Sequence, residues 1–268
     1  MLRYAGAGAS RGLRMTLPAP CSRRPRVAVS ERPLPAMFKS LVALSSQKHA
    51  DLRLTSNAHF EHLREEVSCP LMASEVVNAS RSLPIVFPQD KATYPLALVA
   101  AERGRNAFVD DEGRWTAGHL PIHFRRYPFV LGEHEKTLVL MIDERAPSLS
   151  TSEGEPLFAQ EDGKTVPAPW LRDIQKELVG LTRMHRATQA LCAPLSERDV
   201  LVPKILNLKF NDKTRQIRGL RIIDMERVNA LPDDTLAAWA RSGLLALIYA
   251  HTQSLANLKR LSANSTNT

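Results

Sequence analysis

Two adjacent guanidinium groups, Arg125 and Arg126, stand inside the otherwise aromatic and aliphatic run Phe124-Arg125-Arg126-Tyr127-Pro128-Phe129-Val130-Leu131. An unpaired charge is costly to bury, so these arginines must reach solvent, meet carboxylates inside the fold, or hold an anionic ligand. Guanidinium groups make bidentate, charge-assisted bonds to carboxylates and phosphates, which gives the ligand reading its chemistry: a peptide or another anionic metabolite. Internal pairing with Asp143, Glu144 or Asp224 is the expected arrangement, because paired arginines commonly staple folds. Tyr127 is expected to pack its ring rather than to act as an acid.

The remaining chemistry-bearing residues make weaker patterns. His119 and His123 have the i, i+4 spacing of metal ligands, but Leu120 rather than Glu follows His119 and Pro121 lies between them, so no metal site is expected. His59 and His62 read as part of a polar helix or loop surface. His251 falls on the apolar stripe of a helix with Ser254 three residues on. Without a nucleophile elbow or an orienting acid, a hydrogen-bonded core histidine is expected there. Asp224 and Glu226 alternate after a strand, so they share a face if that strand continues, where carboxylates can do acid-base work or hold a cation. A solvated strand end or a partner for the arginines is the expected alternative. Gly6, Gly8 and Gly12 lack the preceding strand and the spacing of a phosphate loop. The ligand-binding candidates are therefore Arg125, Arg126, Tyr127, Asp143, Asp224 and His251. No catalytic residue, metal or cofactor is assigned.

The elements that position these residues follow from apolar patterning. Leu83 to Phe87, Leu96 to Ala100 and Asn106 to Val109 are short apolar runs separated by turn residues and read as a meander, after a short helix over Glu75 to Arg81. A short helix entered near Pro121 puts His123 and Tyr127 on one face, and Pro128 ends it. Leu138 to Ile142 reads as a strand buried on both faces that delivers Asp143 and Glu144 at its exit. Ala146 to Pro169, rich in Ser, Glu, Gly and Pro, reads as a long surface connection. Leu171, Ile174, Leu178, Leu181 and Leu191 form one helical stripe from Trp170 to just before Pro194. Ile205 to Phe210 and Ile217 to Ile223 flank Asn211-Asp212-Lys213 as a hairpin. A last helix, capped at Pro232-Asp233-Asp234 and kinked at Gly243, continues through His251 to Leu258. The predicted class is α+β: one domain with short antiparallel strands or a meander, and two long amphipathic helices in the C-terminal half.

Composition bounds the partners. The 268 residues are 44% hydrophobic and 24% charged, enough apolar material for one sizeable core. Residues 1–36 hold seven arginines against one acid, Glu31, so +6 of the formal +8 lies there and +2 remains for residues 37–268. A body so balanced gives no general case for a nucleic-acid partner. The partners expected are a protein or an anionic small ligand. Residues 1–36 lack the apolar segment of a secretory signal, and five prolines from Pro18 to Pro35 interrupt a transit helix. They read as a disordered basic leader preceding the start of ordinary composition at Met37, by a mis-assigned start or as a targeting tail. The domain is placed at residues 37–262 and a disordered tail at 263–268. Cys21, Cys69 and Cys192 lie far apart and form neither a disulfide framework nor a zinc pattern. No stretch reaches the roughly 20 apolar residues of a membrane span. A cytoplasmic location is the expectation from these features.

Several strings in order resemble the bacterial SapC family over nearly all of residues 37–262. They are His49-Ala50-Asp51-Leu52-Arg53-Leu54, Pro84-Ile85-Val86-Phe87, Phe108-Val109-Asp110 with Gly113-Arg114-Trp115, and Arg125-Arg126-Tyr127-Pro128-Phe129. Further on come Glu153-Gly154-Glu155-Pro156-Leu157-Phe158, Gly219-Leu220 with Ile223-Asp224, and Ser242-Gly243-Leu244 leading to Tyr249-Ala250-His251 and Ser254-Leu255. The resemblance implies a soluble protein of about this body length whose label derives from surface-layer association. The first reading is a non-enzymatic accessory or structural protein, and the alternative is a soluble binding protein or enzyme acting on a peptide or anionic metabolite through Arg125 and Arg126. It brings no catalytic residue set. The membrane permease that shares the short name is a different protein, with spanning segments absent here.

Overall fold

The computed structural model describes residues 28–29, 36–56, 59–89, 93–134, 137–210 and 213–263. The rest of the leader, Cys21, the hairpin tip Asn211-Asp212 and residues 264–268 lie outside the described residues. Helices and antiparallel strands alternate along the chain, which is the predicted α+β class.

Two sheets carry the cores. In the first, Phe129–His134 and Thr137–Asp143 pair in an antiparallel hairpin, with Ala28–Val29 on one edge and Leu41–Ala43 on the other. The last five residues of Thr137–Asp143 are all buried, as expected for an apolar run covered on both faces. In the second, the order is Leu201–Phe210, Lys213–Ile223, Ile85–Pro88, Leu96–Leu98 and Ser68–Pro70. The long hairpin Leu201–Phe210 with Lys213–Ile223 exceeds the predicted strands at both ends, and a bulge between Lys204 and Leu206 lets both halves keep apolar residues inward.

The meander is corrected at its third run. Asn106 to Val109 forms a turn with a single bridge from Val109 to Trp115. The Asn106 side chain is the cause: its Oδ1 accepts from Phe108 N at 3.0 Å and its Nδ2 donates to Leu63 O at 2.9 Å. An asparagine that satisfies its own backbone locally competes with a strand ladder.

The connection from Ala146 to Pro169 is also more ordered than predicted. Leu149–Ser150 and Glu155–Pro156 flank Arg53–Leu54 in a small sheet, and Phe158–Glu161 pairs with Lys164–Pro167 around Asp162-Gly163. Both turn residues have positive φ, 50° and 73°, the geometry that favours Asp-Gly in a two-residue hairpin. That dipeptide was the available signal.

Pro169–Glu197 is one helix of 29 residues. It passes through Pro194, where the sequence predicts a stop. Pro194 lies in the last turn and forfeits one backbone hydrogen bond, while Cys192 and Leu195 on either side are fully buried and hold that turn in the core. The second long helix is broken: Asp233–Ser242 ends at Gly243 and Leu244–Ser254 starts anew. Gly243 has φ +83°, a left-handed C-cap rather than a kink.

Candidate functional site

Asp143 emerges from its strand with no exposed surface and collects four donors. Oδ2 accepts from Lys39 N at 2.8 Å and Tyr127 Oη at 3.3 Å, and Oδ1 accepts from Ser40 N at 2.8 Å and Arg145 N at 3.1 Å. A carboxylate held by several backbone N–H groups is a structural anchor with its lone pairs occupied. Here it ties the segment after Met37 to the strand exit. Burial, with the Asp143 charge adding to it, pushes the Tyr127 hydroxyl well above its ordinary range, so Tyr127 stays protonated.

None of the three carboxylates expected to pair with Arg125 or Arg126 does so. Asp143 is occupied by those four donors. Glu144 is held by Lys48 and by His49 Nε2 at 3.2 Å, which together draw its pKa below the usual value. His49 Nδ1 accepts from Ser45 N at 3.0 Å, so its proton sits on Nε2 and points at Glu144. Asp224 caps the helix Met225–Asn229, accepting from Glu226 N at 3.0 Å and Arg227 N at 3.3 Å, with the Arg227 guanidinium 3.5 Å away. The strand ends before Asp224, so Asp224 and Glu226 make no shared strand face.

The two arginines differ in surroundings. Arg126 donates from Nη2 to His123 Nε2 at 2.9 Å and lies over the Phe38 ring, 5.6 Å from its centroid. Because a guanidinium only donates, His123 accepts at Nε2 and carries its proton on Nδ1. Arg125 is exposed and makes no ion pair among the described residues. Lys39 and Arg145, whose amides both bind Asp143, likewise have exposed side chains without ion pairs among the described residues.

His62 is the residue the sequence placed wrongly. It is buried, stacked on Tyr127 with ring centroids 3.9 Å apart and planes 12° from parallel. Burial lowers its pKa to about 4 against a smaller raising influence from Asp143, so it is neutral at neutral pH. The pattern gave no hint, since the contact joins residues 65 positions apart.

Asp224 and His251 lie apart from this group, at the end of Lys213–Ile223 in the other sheet. His251 is fully buried, and its Nε2 accepts from Ile223 N at 3.1 Å. Ser254 Oγ accepts from Ile85 N at 3.0 Å and donates to His251 O at 2.6 Å. Burial brings the His251 pKa to about 4. This is the expected hydrogen-bonded core histidine, and the neighbouring Ser254 is committed to backbone.

Glu75, which sequence reasoning passed over, organises the turn before the short helix Ile122–Arg125. It is 3% exposed and accepts from His119 Nε2 at 2.8 Å, Ile122 N at 2.9 Å and Met72 N at 2.9 Å. His119 is thereby engaged with a carboxylate, and the described residues contain no group of three or more potential metal ligands. Cys69 and Cys192 are buried, and burial raises the Cys192 thiol to about 12. Among the described residues no helix is long and apolar enough to cross a membrane.

Against known proteins, residues 44–261 match the family model described as SapC. No curated protein and no solved structure matches the chain.

Proposed function

The chain belongs to the SapC family, and from that premise we propose that it is a non-enzymatic accessory or structural protein associated with a surface layer. The observation that carries this reading is the four-donor engagement of Asp143. A general base needs a free lone pair aimed at a substrate proton, and here each carboxylate oxygen has two donors. His251, Ser254 and Glu75 are spent in the same way on backbone groups. The surface-layer setting comes from the family label. Cell fractionation with an antibody to the protein tests it: the protein is expected with the envelope fraction, and recovery only in the cytosol removes the surface-layer role.

A second reading has an observation of its own. Arg125, Lys39 and Arg145 expose cationic side chains that no carboxylate among the described residues neutralises. Such groups suit an anionic peptide or metabolite. Arg125→Ala separates the readings, because an exposed side chain contributes little to stability. Loss of binding to an acidic peptide with an unchanged thermal midpoint favours the binding role over the accessory one.

A further inference from the structure

A buried carboxylate needs a cation or a full set of hydrogen bonds, and Glu66 receives the amide of Met37 instead. Glu66 is 7% exposed, and its Oε1 accepts from Met37 N at 2.5 Å. Among the described residues it makes no ion pair. Met37 itself is fully buried, packed in the larger core with Leu63 and Tyr127. Two residues on, Asp143 takes the amides of Lys39 and Ser40. The segment is therefore clamped from its first atom, with Glu66 at the Met37 nitrogen and Asp143 just beyond.

We propose that Glu66 is a receptor for an α-ammonium group and that the working chain begins at Met37, whose own amine fills the site. The amide in this position donates one N–H. An ammonium at the same atom carries a full positive charge and three N–H donors, and it converts a buried carboxylate with only backbone donors into a buried ion pair. Burial raises the Glu66 pKa against the lowering influence of the Met37 amide, the Arg103 charge and the Ala36 backbone, so the donors and charge around it do not offset its desolvation. The sequence changes character at the same point, since residues 1–36 hold +6 of the formal charge, and the family match lies wholly downstream of it, from residue 44. Only the two-residue strand Ala28–Val29, on the outer edge of Phe129–His134, is lost from the described structure upstream of Ala36. Because the following residue is Phe38, too bulky for removal of an initiator methionine, Met37 stays in place and keeps its side chain in the core.

Intact-mass measurement and N-terminal sequencing of the protein isolated from its native cells test the assignment. The expected result is a chain starting at Met37 with an unmodified amine. A chain that starts upstream of Met37, or a formylated or acetylated Met37, overturns it, since neither places an ammonium on Glu66. A second readout uses the same native protein. An amine-reactive reagent is expected to leave the Met37 amine unlabelled in the native protein and to label it after unfolding. Equal labelling in both states overturns the buried pair. A stop codon placed at Met1 distinguishes the two routes to the same terminus: undiminished product assigns it to translation initiation at Met37, and loss of product assigns it to cleavage of a longer precursor.

Discussion

Asp143 accepts four hydrogen bonds from inside the fold, so its removal has a cost that an exposed carboxylate does not. Asp143→Ala leaves Tyr127 Oη, in a buried bond, and Lys39 N, Ser40 N and Arg145 N, in part-buried ones, without their acceptor, and an orphaned donor costs on the order of 1–3 kcal/mol where water cannot replace the lost partner. Urea denaturation is expected to show a loss of about 3 kcal/mol or more, with Asp143→Asn intermediate because it keeps one acceptor oxygen. A change within experimental error removes Asp143 from its anchoring role. The two buried histidines make a prediction in pH. Each has a folded pKa near 4 against an ordinary 6.5, so between those values the unfolded chain binds the proton and the folded chain does not. Their contribution is therefore complete above pH 6.5 and is lost as the pH falls toward 4. His62→Phe preserves the stack on Tyr127 and removes one of these two titrations. The stability lost by the two histidines across that window is expected to fall by about half, read as the difference between the variant and the parent. Glu66 and Glu144, shifted in opposite directions, titrate in both proteins and drop out of that difference. Identical pH profiles contradict a depressed His62.

At the scale of elements, two glycines of similar openness should respond oppositely to the same substitution. A Cβ at either Gly180 or Gly243 meets nothing within 4 Å, yet Gly243 has φ +83° and Gly180 sits inside the long helix. Gly180→Ala is expected to raise stability by about 0.5–1 kcal/mol through helix propensity and the lost entropy of the unfolded chain. Gly243→Ala is expected to lower it by about 1 kcal/mol, because alanine resists the left-handed C-cap. Equilibrium denaturation of the two variants decides, and matching signs refute the helix break at Gly243. The same residue shows where sequence reasoning ran out. Apolar period and caps made Thr137–Asp143 and Pro169–Glu197 legible, because a buried strand and an amphipathic helix each write their pattern locally. Gly243 is equally a kink or a stop in one dimension, and only its dihedral separates them. The short strands between Ala146 and Pro169 were hidden because their partners, such as Arg53–Leu54, lie about a hundred residues away. The surroundings of the candidate site are legible only in part for the same reason. Asp143 was found because it ends a readable strand, whereas Glu66, Glu75 and His62 acquire their roles through contacts 29, 44 and 65 residues distant.

Across the whole molecule, the long helix contributes buried residues to both apolar cores. Leu171, Leu178 and Leu181 belong to the smaller core with Phe129 and Ile142, while Cys192 and Leu195 belong to the larger one with the second sheet and the C-terminal helices. A helix that unwinds on one core gives up its packing on the other, because its backbone hydrogen bonds run unbroken between them except at Pro194. The two cores should therefore melt together. Leu178→Ala and Leu195→Ala, one in each core, are each expected to cost about 2–5 kcal/mol and to shift a single common transition. The chain supplies reporters for both sides. Trp170 lies edge-on to Phe129 at 6.2 Å beside the smaller core, and Trp239 is buried in the larger one. Variants that retain only one of these tryptophans should give fluorescence transitions that coincide with each other and with the loss of helical circular dichroism. A Leu178→Ala transition reported by Trp170 that runs ahead of the one reported by Trp239 would divide the molecule into two cooperative units. The long helix would then be a tether between them rather than their shared wall.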